Sequence, residues 1–285
     1  MTERGLNEKM TNVMAVKDDI NFDFSKQTYV MGILNVTPDS FSDGGKFTEI
    51  VAAVAHAKQM VEMGAHVIDI GAESTRPGAS EVSIEEEVER AIPIIHAISE
   101  AVNVPISIDT YKSEVAKQAI EAGASIINDV WGAKADPNMA KVAAEYGVPI
   151  ILMHNRDNID YGDIMEDMVS DLKESISICH QAGVADEKIM IDPGIGFAKT
   201  YEDNLEVLRR LEELQVLDYP ILLATSRKSF IAKTLDLPVD ERVEGTGASV
   251  CLGIAKGCHM IRVHDVLEMT RMAKMMDAML GKGRL

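Results

Sequence analysis

Gly64-Ala65-His66-Val67-Ile68-Asp69, Gly123-Ala124-Ser125-Ile126-Ile127-Asn128 and Gly257-Cys258-His259-Met260-Ile261-Arg262 share one layout. In each, a glycine ends a helical pattern, a short turn follows, and an apolar run ends in a polar residue. Glycine just past a helix supplies the left-handed backbone that turns the chain out of it. Gly147 and Gly183 stand in the same relation to two further apolar runs. Working outward, eight such runs read as strands: Val30–Leu34, Val67–Ile70, Pro105–Ile108, Ser125–Asn128, Pro149–Met153, Lys188–Ile191, Ile221–Ala224 and Met260–Val263. Most are nearly continuous, as parallel strands buried on both faces are.

The segments between the runs are amphipathic. Val51, Val54, Ala55 and Val61 share one face of the first, and Ile164, Met168, Leu172 and Ile176 are spaced by four along the fifth. Leu205, Leu208 and Leu211 mark the sixth; Val266, Met269, Ala273, Met276 and Leu280 mark the last. Ser83 and Glu86 read as a capping box opening the second helix, and Pro93 inside it is expected to kink it. Between Ser226 and the last strand lies an insertion: a short helix (Ser229–Thr234), a loop at Pro238, and a second helix (Gly247–Lys256). Eight strand–helix units joined by short turns predict an α/β fold, a (β/α)8 TIM barrel in a single domain. The barrel domain is placed at 28–285, with residues 1–27 as an N-terminal extension. A doubly wound sheet is the alternative.

The chain has 285 residues, 46% of them hydrophobic, ample for one large core. Its 28 Lys and Arg against 46 Asp and Glu give a net charge of −18, which disfavours nonspecific binding to nucleic acid or anionic membranes. Glu85-Glu86-Glu87 reads as part of a solvated helix face. Cys179, Cys251 and Cys258 are odd in number and form no CxxC pair, so neither a disulfide framework nor a zinc site is indicated, and free buried thiols are expected. No apolar run approaches the roughly 20 residues of a membrane span. The first 28 residues are polar without the apolar stretch of a signal peptide. The reading is a cytoplasmic protein.

In such a barrel the C-terminal strand ends converge on one mouth, where active sites sit. Here those ends carry Asn35, Glu73 to Gly78, Asp109-Thr110, Asn128-Asp129, Met153-His154-Asn155, Asp192-Pro193-Gly194, Ser226-Arg227-Lys228 and Arg262-Val263-His264-Asp265. One or two polar ends would be ordinary helix caps. Asp109 suits that role for the third helix and Asp265 for the last, but Lys, Arg and Met do not cap N-termini. Asp109, Asn128 and Asp192 suit the hydrogen-bonding edge of a flat, nitrogen-rich heterocycle, since a carboxylate accepts two parallel N–H bonds and an amide both donates and accepts. Lys228, Arg262 and His264 sit on the last two strands, where phosphate often binds in this architecture. Met153 and Phe197 offer apolar contact to ring faces. Together they suit a heterocycle carrying a phosphate or diphosphate.

Asn35-Val-Thr-Pro-Asp-Ser-Phe-Ser-Asp-Gly-Gly45, Glu73 to Gly78, Ile108-Asp109-Thr110, Ile127-Asn128-Asp129, Asp192-Pro-Gly-Ile-Gly-Phe197, Ser226-Arg-Lys-Ser-Phe230 and Arg262-Val-His-Asp265 resemble the dihydropteroate synthase family, the folate-pathway enzymes targeted by sulfonamides. The resemblance runs in order over about residues 28–282. Ala72 and Ala198 depart from it, standing where the family generally has glycine before Glu73 and often has glycine before Lys199. It implies a transferase in which p-aminobenzoate displaces diphosphate from 6-hydroxymethyl-7,8-dihydropterin diphosphate in an SN1-like step. It also implies a homodimer. By resemblance Asp109, Lys228, Arg262 and His264 are catalytic. Asp109, Asn128, Met153, Asp192, Phe197, Lys228 and Arg262 hold the pterin. Asn35, Arg262 and His264 hold the diphosphate, Asn35 through a Mg2+ ion. Phe41, Ser74, Thr75, Arg76, Pro77 and Ser229 frame the p-aminobenzoate. Two other readings are a pterin-dependent methyltransferase with a corrinoid partner and a non-catalytic pterin-binding barrel.

Other motifs read as structural. Gly194-Ile-Gly196-Phe-Ala-Lys199-Thr200 fails the P-loop spacing, and Gly245-Thr-Gly247 lacks the strand and third glycine of a dinucleotide fingerprint. His56, His96 and His180 lie on helices; His66 and His259 lie in turns away from the mouth. His154 follows the fifth strand and reads either way. Trp131 reads as packing, and the methionines of the last helix as core or interface.

Overall fold

The computed structural model describes residues 12–17, 20–36, 45–73 and 81–283. A hairpin, β1 (Val13–Lys17) and β2 (Ile20–Asp23), precedes the barrel. The barrel follows as β3 (Tyr29–Asn35), α1 (Gly45–Glu62), β4 (Val67–Gly71), α2 (Ile84–Ala101), β5 (Ile106–Asp109), α3 (Ser113–Glu121), β6 (Ile126–Asp129), α4 (Met139–Tyr146), β7 (Ile150–Met153), α5 (Ile164–Ala182), β8 (Ile189–Asp192), α6 (Tyr201–Arg209) and β9 (Leu222–Leu223). The insertion is α7 (Ser229–Leu235) and α8 (Val243–Ala255); β10 (Met260–Val263) and α9 (Val266–Leu280) end the fold.

Eight of the described strands form one parallel sheet in the order β8-β7-β6-β5-β4-β3-β10-β9. A bridge between Ile191 and Ile221, with Ile191 N donating to Pro220 O at 2.9 Å, joins β8 to the start of β9 and closes the circle. Neighbours follow chain order throughout, which rules out the doubly wound alternative, where the order reverses at a switch point.

Side chains alternate across each strand. One set, including Ile68, Ile127, Leu152, Ile191 and Ile261, packs under the helices. The other set builds the interior in tiers. Its lower tier is apolar: Met31, Val67, Ile126, Ile151, Met190, Leu222 and Met260. Two residues further along the same strands stand Asp69, Asn128, Met153, Asp192 and Arg262. The polar residues at the strand ends are therefore the upper tier of the barrel interior.

The hairpin lies in the stretch that the sequence assigns to an extension. Met14, Val16, Phe22 and Phe24 bury themselves against the lower tier. Phe22 and Tyr29 pack as a tilted pair with ring centroids 4.5 Å apart, and Phe24 meets the Tyr29 ring edge-on at 5.6 Å. The hairpin thus floors the barrel opposite the mouth. His66 and His259, at matching places in the repeat, accept the backbone N–H of Val30 (3.0 Å) and Ile221 (3.1 Å) through Nδ1. Both are structural, as their position before the strands indicates.

Gly147 and Gly183 cap α4 and α5 in the left-handed conformation (φ 63° and 96°). Ser83 Oγ accepts Glu86 N at 3.1 Å, but the Glu86 carboxylate pairs with Arg90, so only half of the expected capping box forms. Pro93 sits within α2 without ending it. Glu87 is fully buried, against the reading of Glu85–Glu87 as a solvated face. Lys112 Nζ reaches it at 2.7 Å and also pairs with Glu73 Oε2 at 2.5 Å. α8 begins four residues before the expected Gly247. Gly245 and Gly247 lie inside it, where added Cβ atoms would come within 2.3 Å of Ile231 and 2.4 Å of Met272. Among the described residues no helix is long and apolar enough to cross a membrane.

Candidate active site

Arg262 organises the upper tier. Its Nε lies 2.6 Å from Asp69 Oδ2 and its second Nη lies 2.6 Å from Asp109 Oδ2. Asn128 Nδ2 approaches Asp69 Oδ2 at 3.4 Å. One guanidinium thus spans two carboxylates from β4 and β5, as its planar fork of donors allows. The other oxygens, Asp69 Oδ1 and Asp109 Oδ1, are buried with no hydrogen-bond partner among the described residues. Buried acceptors are rarely left so, and both belong to the interior tier.

The electrostatics are set by burial. It pushes Asp109 up to about 7, with Arg262 opposing and Asp69 reinforcing. It raises Asp192 to about 6, against a backbone bond from Gly194 and the charges of Lys228 and Arg262. Burial also works against the charge on Arg262, yet Asp69 and Asp109 hold its pKa above the ordinary arginine value. Asp192 Oδ1 accepts Gly194 N at 2.6 Å, which orients the carboxyl and starts the turn after β8. Gly194 has φ 65°, and a Cβ there would overlap the His154 carbonyl at 2.0 Å.

Lys228 Nζ lies 4.3 Å from the Phe197 ring centroid, so these two expected pterin contacts meet. Met153 is buried at the end of β7, beside Gly194. His264 Nδ1 lies 2.9 Å from Ser226 Oγ, which accepts His264 N at 3.1 Å. Between Ser226 and Lys228, Arg227 takes a left-handed conformation (φ 58°) and pairs with Asp265 at 2.5 and 3.0 Å. Asp265 does occupy the N-cap of α9, but its side chain makes no capping bond; Arg227 takes it instead. Nor is Asp109 a cap: the N-cap of α3 is Lys112. Ser229 is exposed as the first residue of α7.

Asn35 ends β3 with an exposed side chain. Gly71 on the neighbouring strand leaves a gap that a Cβ would fill, 3.8 Å from Asn35 Oδ1 and 3.7 Å from Asp109 Oδ2. Among the described residues no group of three or more His, Cys, Asp or Glu is arranged to hold a metal. Phe41, Ser74, Thr75, Arg76 and Pro77 lie outside the described residues.

Asp69 is not among the residues singled out from the sequence, because the mouth of its unit is placed at Glu73 to Gly78, beyond the strand Val67–Ile70. Glu73 instead binds Lys112, Tyr111 OH and Val82 N, away from Arg262. The signal for Asp69 was present in the repeat, whose sixth positions are Asp69, Asn128 and Arg262, the three side chains that meet here. His154 lies behind the mouth, bonded to Asp171 and Lys199.

Residues 31–264 match the pterin binding enzyme family. A dihydropteroate synthase of Bacillus subtilis (strain 168) is 63% identical over 260 residues, 91% of this chain and 91% of the relative. A solved dihydropteroate synthase of Clostridium difficile, in the presence of pteroic acid, has a TM-score of 0.89 at 52% identity and covers 90% of this chain and 98% of its own. Another, from Xanthomonas albilineans with 4-aminobenzoic acid, has a TM-score of 0.86 at 39% identity and covers 91% of this chain and 95% of its own. The likeness is therefore one of whole barrels, and the chain belongs to the dihydropteroate synthase family of pterin binding enzymes.

Proposed function

We propose that the protein joins 6-hydroxymethyl-7,8-dihydropterin diphosphate to 4-aminobenzoate, releasing diphosphate and 7,8-dihydropteroate. The observation that carries this is the polar tier, with its two unpartnered carboxylate oxygens on Asp69 and Asp109. Oxygens of this kind call for N–H donors, and the edge of an aminopterin ring is rich in them. Asp192 and Asn128 extend the same acceptor and donor surface, and Met153 and Phe197 offer it a flanking wall. Solved relatives with pteroic acid and with 4-aminobenzoic acid support a site that takes both halves.

Loss of diphosphate leaves positive charge on the pterin methylene, which the dihydropterin ring delocalises. The ionised Asp109 carboxylate stabilises that charge in an SN1-like displacement, while Lys228, Arg262 and His264 offset the charge of the leaving group. The arylamine is already neutral at pH 7, so no covalent enzyme nucleophile is required. Among the described residues the donor set at Asn35 is a single amide oxygen, beside the side-chain-free Gly71. That suits a Mg2+ ion carried by the diphosphate, because Mg2+ keeps several waters and needs few protein oxygens. When bound, the ion would neutralise developing charge on the diphosphate. Asn35 would hold and orient it.

Exposed Met275, Met279 and Leu280 on α9 and Leu252 on α8 support a homodimer through these helices. Free Cys179, Cys251 and Cys258 fit the reducing conditions of the cytoplasm. The test is diphosphate release by the purified protein. Release should require the pterin diphosphate, 4-aminobenzoate and Mg2+ together. No release by folded protein given all three would defeat the proposal.

A further inference from the structure

The turn between β8 and α6 carries Asp192 and Phe197, two of the residues set against the pterin in the proposed reaction. Its backbone is left-handed at Gly194, Gly196 and Ala198 (φ 65°, 85° and 43°). For alanine that conformation costs about 1–2 kcal/mol, so the turn needs holding from outside. Lys199 supplies the hold. Its Nζ lies 2.9 Å from His154 Nδ1, 3.1 Å from Gly194 O and 3.1 Å from Phe197 O. An ammonium has three donors and no acceptor, and here each donor meets one acceptor.

The hold is itself anchored. His154 is buried, and its Nε2 lies 3.0 Å from Asp171 Oδ2. An acceptor Nδ1 facing the ammonium leaves the ring proton on Nε2, from where it is donated in a hydrogen bond to the Asp171 carboxylate. Asp171 also accepts Arg156 Nε at 2.5 Å. The chain Arg156–Asp171–His154–Lys199 thus runs from α5 and the loop before it to the turn. Tyr161 OH, from that same loop, donates to Ala198 O at 2.7 Å.

We propose that Lys199 is a positioning residue for pterin recognition: by gathering the Gly194 and Phe197 carbonyls onto one ammonium, fixed from behind by His154 and Asp171, it sets the pose of Asp192 and Phe197. This rests on the pterin reading of the pocket. Only the ammonium form satisfies all three acceptors. Burial pushes Lys199 down to about 7, Asp192 and Asp203 oppose that shift, and Lys228 and Arg156 reinforce it. Its advantage over a neutral side chain should therefore shrink as pH rises past neutrality.

The test titrates the full chain by calorimetry with 6-hydroxymethylpterin and, separately, with inorganic diphosphate. Lys199→Met should weaken the pterin at least tenfold and leave diphosphate within threefold. The wild-type to variant ratio of pterin affinities should fall between about pH 6 and 9. Asp171→Asn, two links back from Lys199 and only partly exposed, should weaken the pterin in the same sense by two- to fivefold, and it carries the test if Lys199→Met does not fold. Unchanged pterin affinity in a folded variant, equal loss of both ligands, or a ratio constant with pH would each overturn the proposal. Failure of the wild-type protein to bind the pterin would instead defeat the reading of the pocket itself.

Discussion

Arg262→Lys keeps the charge of the central cation and removes its geometry. Arginine reaches two carboxylates with two different nitrogens, each contact at 2.6 Å. A lysine ammonium ends short of the second Nη, so it retains Asp69 at most and releases Asp109. Losing one charge-assisted hydrogen bond in a buried site costs about 1.5–3 kcal/mol. If that loss is felt fully in the transition state, kcat/KM falls by roughly 10- to 150-fold, at 1.36 kcal/mol per factor of ten. The remaining effect is electrostatic. Asp109 is pushed up by burial to about 7 and held from rising further chiefly by Arg262. With the guanidinium gone, its pKa rises, and a smaller fraction is ionised at neutral pH. The pH-rate profile should therefore shift alkaline on its acid limb, and the deficit should narrow as pH is raised. The assay is diphosphate release at saturating 4-aminobenzoate with varied pterin diphosphate, on a variant first shown to be folded by circular dichroism. A kcat/KM within threefold of wild type and an unmoved acid limb would refute the assignment of Arg262 as the bridge that tunes Asp109.

Two further outcomes test the framework. Lys112→Met strands the buried Glu87 and Glu73 carboxylates, so denaturant unfolding should show a loss of about 3–5 kcal/mol; a loss under about 1 kcal/mol would mean that the pair is not a structural anchor. Asp192 has a folded pKa of about 6, above its ordinary value of 3.8, so the folded state binds more protons than the unfolded state in that window. Its ionisation therefore costs stability progressively as pH rises from about 4 to 6 and not beyond, and Asp192→Asn should gain on wild type across that window by up to about 3 kcal/mol. A stability difference independent of pH would contradict the raised value.

The barrel was legible because its signals are local. Each strand is a short apolar run, five of the eight follow a glycine that ends a helical pattern, and a polar residue closes most runs at the mouth. Asp109, Asn128, Asp192 and Arg262 were accessible on that basis. The hairpin floor was not, because only a few alternating apolar positions mark it, and their burial depends on an open barrel end. Glu87 was misread for a related reason. A helical acid looks solvated until a lysine from the next unit, here Lys112, is brought under it.

What the chain alone determined is thus which runs are strands, which segments are helices and which polar residues close most of the strands, since these patterns act within a few residues. Which acid meets which cation was decided only by tertiary structure. Arg262 and Asp69 lie 193 residues apart and touch because β10 pairs with β3, and β3 with β4. Closing the barrel puts the last strand beside the first and spans the charges of neighbouring strands with one guanidinium. No local pattern encodes that pairing, because it comes from the circular order of the sheet.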